Sequence, residues 1–252
     1  MAAGENTGIE LRALTTIAEF EEAVELQKVI WGFADIELLP RRLFVVANKI
    51  GGQTLGAFDG KRMVAFLIAI PGVKADGSNY LHSHMLGTLR EYRDRGLGRQ
   101  LKLMQREDAL KRGFQLVEWT FDPLEIKNAF FNMQRLGAIV RRYVPNQYGM
   151  TSSHLHGGLP TDRCVAEWWI DTPRVNSLLA GKPEPPLEVE ARVQVPANIA
   201  DLRVADAAKA RVIQQEISDQ FLLHFRNGLA VIGFESTAEA GTYLLGKYAV
   251  SD

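Results

Sequence analysis

The chain has 252 residues, 46% of them hydrophobic, and a formal net charge of -1. That length suits one or two domains around an ordinary buried core, and the near-neutral balance offers no basic field, so no nucleic-acid partner is expected. The single cysteine, Cys164, excludes an internal disulfide, and no Cys/His set has zinc-finger spacing. The expected compartment is a reduced cytoplasm.

Met1 to Thr7 is small and polar and does not read as a signal peptide. Ile9 to Leu14 alternates as a first strand. Thr16 followed by Glu19 has the form of a capping box, opening a helix that turns Phe20, Val24 and Val29 to a core and ends near Trp31-Gly32. A second helix is expected after Pro40, over Arg41 to Lys49, stopped by Gly51-Gly52. Thr54 to Phe58 and Lys61 to Ile70 are apolar runs around Asp59-Gly60, a hairpin signal. Met63 to Pro71 is the longest apolar stretch, far too short to cross a bilayer, and no membrane partner is expected.

Tyr80 to Leu89 reads as the next strand. A helix follows from about Gly96 to Arg112, with Leu97, Leu101 and Met104 on one face and Lys102, Arg106 and Lys111 left to water. Gln115 to Asp122 is a strand stopped by Pro123. Leu124 to Leu136 is a helix ended by Gly137, and Ile139 to Val144 and Cys164 to Ile170 are two more strands. This order points to an α/β fold of the layered α+β kind, a mixed β-sheet flanked by helices. After Asp171 comes a stiff connector, Lys182-Pro183-Glu184-Pro185-Pro186, then a strand near Val189 to Val195, a helix near Ala205 to Arg226 and a strand near Leu229 to Phe234. Two roles stay open for this small C-terminal extension: a subdomain that covers a site, or a dimerisation element that would make the protein a homodimer.

The informative segment runs from Leu86 to Leu101. A strand ends, a loop turns, and a helix opens at Gly96-Leu97-Gly98. Backbone N–H groups at a helix start have no intrahelical partner and stand at the positive end of its dipole, which suits phosphate. The glycines let the backbone approach phosphate oxygens without a Cβ in the way. The segment is no dinucleotide fingerprint, since Leu101 stands where a third glycine belongs, and no P-loop, since no Gly-Lys-Ser/Thr follows.

Arg93-x-x-Gly96-x-Gly98 between a strand and a helix, preceded by Tyr92, resembles the pyrophosphate-binding signature of the GNAT superfamily of N-acetyltransferases. Asn128-Ala129-Phe130-Phe131 with Leu136-Gly137 is similar to that superfamily's second motif. Thr120-Phe121-Asp122-Pro123-Leu124 resembles a little-characterised group of predicted acetyltransferases within it. The likeness covers residues 1–171, which it marks as an acyl-CoA-binding catalytic domain, and leaves residues 172–252 as an αβ extension.

The resemblance implies acetyl-CoA, or coenzyme A with another acyl group such as succinyl, as acyl donor. It implies that the strands at Tyr80 to Leu89 and Gln115 to Asp122 lie parallel and splay. The pantetheine arm would then pair with backbone near Leu86, Gly87 and Thr88, and the diphosphate would rest on Arg93, Asp94, Arg95, Gly96, Leu97, Gly98 and Arg99. Asn128, Phe131 and Asn132 complete the implied cofactor set. An amine nucleophile must be neutral, and the backbone N–H near Thr88 is the implied oxyanion donor. His82 and His84 sit two apart on one strand and are the candidate bases, His84 the nearer to the expected thioester. A metal held by that pair would need further ligands, which the sequence does not place. The superfamily's usual tyrosine acid is Met133 here, so Asn132, Tyr143 and Tyr148 are the polar groups left near the sulfur or beyond. Asp122 is either a base or a turn residue before Pro123.

The acceptor site of this superfamily is built around the first two helices, here Trp31 to Arg42, and the loop Met150 to Asp162 with His154, His156, Gly157 and Gly158. Arg41 and Arg42 are candidates to recognise a carboxylate. The expected acceptor is the primary amine of a small molecule, an amino acid being one example. A non-catalytic acyl-CoA-binding module on the same fold is the alternative.

Overall fold

The computed structural model describes residues 8–149, 158–182 and 188–249. The readings placed on Met1 to Thr7, on His154, His156 and Gly157, and on Pro183 to Pro186 lie outside the described residues. The chain divides into two compact units, residues 1–114 and 115–252.

In the first unit β1 (Ile9–Ala13), α1 (Ile17–Trp31) and α2 (Arg41–Lys49) precede β2 (Gln53–Asp59), β3 (Arg62–Val73), β4 (Asn79–Thr88) and α3 (Leu97–Lys111). The strands pair antiparallel in the order β1-β2-β3-β4. The local signals act as expected. Glu19 N–H donates to Thr16 Oγ1 at 3.2 Å while Thr16 N–H donates to Glu19 Oε2 at 2.9 Å, closing the capping box of α1. Gly32, left-handed at φ 69°, ends that helix.

Of the three α1 residues expected to face the core, Phe20 and Val24 do and Val29 does not. Phe20, Ala23, Leu26 and Ile30 are buried, whereas Val29 is 71% exposed. Val29 lies nine positions after Phe20, which at about 100° per residue puts it half a turn away. Phe20 stacks on Phe44 of α2, and Phe44 and Trp31 both meet Phe66 of β3.

A second correction falls on α3. Leu97 and Leu101 are buried as expected, but so is Lys102, at 2% exposure, with Gln105 and Ala109 beside it. The buried stripe of α3 is wider than its apolar residues suggest, because polar partners on β2 and β4 satisfy Lys102 and Gln105.

The second unit contains β5 (Leu116–Phe121), α4 (Ile126–Phe130), β6 (Ile139–Val144), β7 (Arg163–Trp169), α5 (Pro173–Leu179), β8 (Ala191–Pro196), α6 (Ile199–Ala205), α7 (Ala207–Arg226), β9 (Ala230–Ser236) and β10 (Ala240–Gly246). Its strands run in the order β5-β7-β6-β9-β10-β8, every described pair antiparallel. The elements α5, α6 and β10 add to those read from the sequence. Asp206 both ends α6 and caps α7, its side chain accepting from Lys209 N–H at 3.0 Å, so α7 starts two residues after the expected Ala205 and ends at the expected Arg226. Phe221 of α7 packs between Tyr143 and Tyr243, and the Tyr243 hydroxyl donates to Pro123 O at 2.7 Å. Among the described residues no helix is long and apolar enough to cross a membrane.

Candidate functional site

The expected cofactor segment and both histidines lie in the first unit. Along β4 the register with β3 pairs Ser83 with Ala69 and Met85 with Ile68, leaving His84 as an extra residue in a β-bulge. The side chains agree. Ser83 faces α3, since its Oγ accepts from Lys102 Nζ at 2.8 Å. Leu86 also faces α3, since a Cβ on Gly98 would lie 3.7 Å from Leu86 Cδ2. Gly87 faces α1, where a Cβ would come within 2.6 Å of the Trp31 ring. Residues three apart therefore share a face, which an unbroken strand of period two does not allow. Gly87 is glycine because Trp31 covers it.

Beyond Thr88 a short 3-10 turn, Arg90–Tyr92, leads to the glycine turn. Asp94 at φ 60° and Gly96 at φ 78° are both left-handed, so the chain reverses twice before α3 begins. Gly96 caps α3 without a side-chain hydrogen bond, and no acidic residue lies in the first turn. The first backbone bond inside the helix is Gln100 N–H to Gly96 O at 3.0 Å. The N–H groups of Leu97, Gly98 and Arg99 thus precede that ladder at the positive helix end, and Gly98 presents no Cβ over them. An anion of phosphate type fits this seat. A Cβ on Gly96 would meet nothing within 4 Å, so only its backbone conformation demands glycine. Gly96→Ala is accordingly expected to lower stability by about 1 kcal/mol, read from a urea midpoint.

The residues around the turn have divided tasks. Arg93 Nε donates to Thr88 O at 3.3 Å, tying the loop to the end of β4. Tyr92 anchors it to the β2–β3 hairpin, its hydroxyl donating to Asp59 Oδ2 at 2.6 Å, and the Arg95 guanidinium lies 4.9 Å over the Tyr92 ring. Arg95 is exposed and Arg99 half-buried.

His82 and His84 are half-buried, their ring centroids 5.6 Å apart. Burial holds the His84 imidazole below its ordinary value, so it is neutral at pH 7 and able to accept a proton. Among the described residues no group of three or more His, Cys, Asp or Glu side chains is placed to hold a metal ion.

The second unit holds the other three expected site residues. Asn128 is exposed on α4 and Phe131 half-buried. The helix expected over Leu124 to Leu136 widens after Phe130 into a π turn, Phe131–Arg135, which contains Asn132 and Met133. Such turns recur at functional sites. Asn132 is 1% exposed, and its Oδ1 accepts from Trp119 Nε1 at 3.2 Å. An indole N–H only donates, so that contact assigns the amide oxygen and leaves Nδ2 a buried donor without an acceptor.

The remaining acid and base candidates have hydrogen-bond partners within the second unit. Asp122 Oδ1 accepts from Leu124 N–H at 2.8 Å and its Oδ2 from Arg203 Nη2 at 2.7 Å, making it the turn residue of the two readings. The Tyr143 hydroxyl donates to Asp162 Oδ2 at 2.7 Å, and burial with that bond pushes its pKa up. The Tyr148 hydroxyl lies 2.9 Å from Thr120 Oγ1. Met133 is fully buried. Cys164 is fully buried, and that burial pushes its thiol up, as in a packing residue.

Around α1 and α2 an open cleft of about 730 Å³ is lined by Glu21, Glu22, Val24, Glu25, Pro40, Arg41 and Arg42. Arg41 is ion-paired with Glu21.

No family model matches the sequence, and no curated protein matches it. Solved structures do match. Arabidopsis thaliana NAA60 in complex with a bisubstrate analogue is similar over 65% of this chain and 99% of its own, at 14% identity and a TM-score of 0.52. Aminoglycoside 6'-acetyltransferase type Ii is similar over 70% of this chain and 99% of its own, at 15% identity and a TM-score of 0.50. A Desulfovibrio desulfuricans protein assigned to the GNAT acetyltransferase family is similar over 64% of this chain and 99% of its own, at 12% identity and a TM-score of 0.51. With the glycine turn at the start of α3, these likenesses identify the fold of the chain as that of the GNAT acetyltransferases.

Proposed function

We propose that the protein is an acyl-CoA-dependent N-acyltransferase of the GNAT type. It moves an acyl group, acetyl in the first instance, to the primary amine of a small molecule by direct attack in a ternary complex. The observation that carries this reading is the free helix start of α3 directly after β4, with Gly98 open above it. The similar NAA60 structure is a complex with a bisubstrate analogue, and the similar aminoglycoside protein is a 6'-acetyltransferase, which favours a donor and an amine acceptor bound together.

In this reading acetyl-CoA supplies the activated acyl carbon. The N–H groups of Leu97, Gly98 and Arg99 and the loop from Arg93 to Gly96 receive its diphosphate, with Arg95 and Arg99 adding charge. The backbone of Leu86, Gly87 and Thr88 takes the amides of the pantetheine arm, and Thr88 N–H meets the developing oxyanion. His84 accepts the proton of the attacking amine, with His82 beside it as the second candidate. Asn128 and Phe131 contact the donor. Asn132 Nδ2, a buried donor lacking an acceptor, stabilises the departing sulfur without giving up a proton. Coenzyme A thiolate then takes its proton from solvent.

A small zwitterionic or cationic amine suits the cleft around α1 and α2, where Glu22 and Glu25 offer negative charge and Arg42 positive charge. An amino acid is the simplest such acceptor. The deciding experiment is a matrix of amines and acyl-CoA donors assayed for free thiol. Turnover of an amine supports the enzyme. Coenzyme A binding without turnover on any amine favours the non-catalytic module, a reading that the absent tyrosine at Met133 supports. Met133→Leu is expected to change kcat by less than about twofold in the same assay, because it exchanges similar apolar volumes in a buried position.

A further inference from the structure

Lys102 is 2% exposed, on the buried side of α3. Burial is unfavourable for an ammonium, and here it pushes the group well below the ordinary lysine range. An apolar side chain would fill the same volume more favourably, so the amine is expected to have a task.

Its bonds show where the task lies. Lys102 Nζ donates to Ser83 Oγ at 2.8 Å and to Gln105 Oε1 at 3.1 Å. Gln105 Nε2 donates to Gln53 Oε1 at 2.9 Å, and Gln53 Nε2 donates to Asp108 Oδ2 at 2.7 Å. Asp108 pairs with Arg112 at 2.9 Å, and Arg112 Nη1 donates to Gly51 O at 2.6 Å. The row from Lys102 to Asp108 runs donor to acceptor throughout, so each bond polarises the next and the half-exposed carboxylate balances the buried amine. At the other end stands Ser83, the residue beside the bulge of β4. Ser83, Gln53 and Gln105 are each under 5% exposed.

We propose that Lys102 is a positioning residue for the acyl transfer: through Ser83 it holds the β4 bulge in register, and the bulge sets where the His84 imidazole stands. A bulge adds a residue that the ladder itself does not hold, and one residue of slip would carry every side chain from His84 to Thr88 to the other face. The Lys102–Ser83 bond fixes the side of the bulge that pairs with β3. This role rests on the acyltransferase reading for its kinetic consequence but not for its structural one.

Two variants test it on the full chain. Lys102→Met removes the amine and leaves Ser83 Oγ and Gln105 Oε1 buried without that donor. Adding Ser83→Ala removes one of those stranded acceptors. The double variant is expected to regain most of the thermal stability lost by the single one, yet to keep a kcat at least about tenfold below wild type, with coenzyme A affinity within about twofold. The His84 ring, followed by NMR with His84→Gln as assignment control, is expected to titrate nearer the ordinary histidine value in the double variant than in the wild type. Recovery of both stability and kcat, with an unmoved His84 titration, would overturn the proposal and leave Lys102 a packing residue. A shifted His84 titration in a protein that turns over no amine would keep the positioning role and refute the acyltransferase reading instead.

Discussion

Replacing Gly98 with glutamate is expected to weaken coenzyme A binding at least about a hundredfold while leaving the fold as stable as before. The two halves of this expectation have separate causes. A side chain at position 98 starts in open space, its Cβ in ordinary contact with Leu86 at 3.7 Å, and the residue is already helical. A carboxylate in the first turn of α3, which has none, interacts favourably with the helix dipole. The same carboxylate occupies the place of the diphosphate and repels it, and a hundredfold is about 2.7 kcal/mol. Calorimetry with coenzyme A, run beside a thermal melt, reads both. Unchanged affinity with an intact melt would move the donor site away from α3. Gly98→Ala, which adds bulk without charge, should weaken binding far less.

His84→Ala is expected to lower kcat/KM about a hundredfold at pH 7, the ordinary contribution of a positioned base. The pH dependence carries the sign. Burial lowers the pKa of His84, so in the wild type the acid limb of kcat/KM should fall below the ordinary histidine value of about 6.5, with activity lost as the imidazole gains its proton. In the variant that limb should disappear. The deficit should narrow as pH approaches the pKa of the amine, where the free base of the acceptor is already abundant. Full activity of both His84→Ala and His82→Ala at pH 7 would refute the assignment to this pair and leave a water chain as the base.

Much of the first unit was legible because its signals are local. The capping box at Thr16 and Glu19, the Asp59-Gly60 hairpin and the glycines around α3 each act over four residues or fewer, and the structure places their elements within about three residues of expectation. What was not legible depends on partners distant in sequence. Lys102 reads as a solvated charge until Ser83, Gln105, Gln53 and Asp108 are brought to it. The bulge at His84 and the π turn at Asn132 each insert one residue into a regular repeat, and neither has a composition of its own. Val29 looked inward because its side chain is apolar, although the stripe through Phe20, Ala23 and Ile30 excludes it. The tail was read least well, since α5 and α6 have only seven residues each and β10 follows β9 after a turn with weak signals.

The closeness of Trp31 to Gly87 has a spectroscopic consequence. The chain has four tryptophans, and Trp119, Trp168 and Trp169 all belong to the second unit. Trp31 is therefore the sole indole chromophore of residues 1–114, and it rests on the strand that carries the bulge. With Trp119, Trp168 and Trp169 changed to phenylalanine, emission from Trp31 would report events in the first unit alone. The complementary Trp31→Phe protein would report only the second unit, so one titration in each background would time the two halves separately.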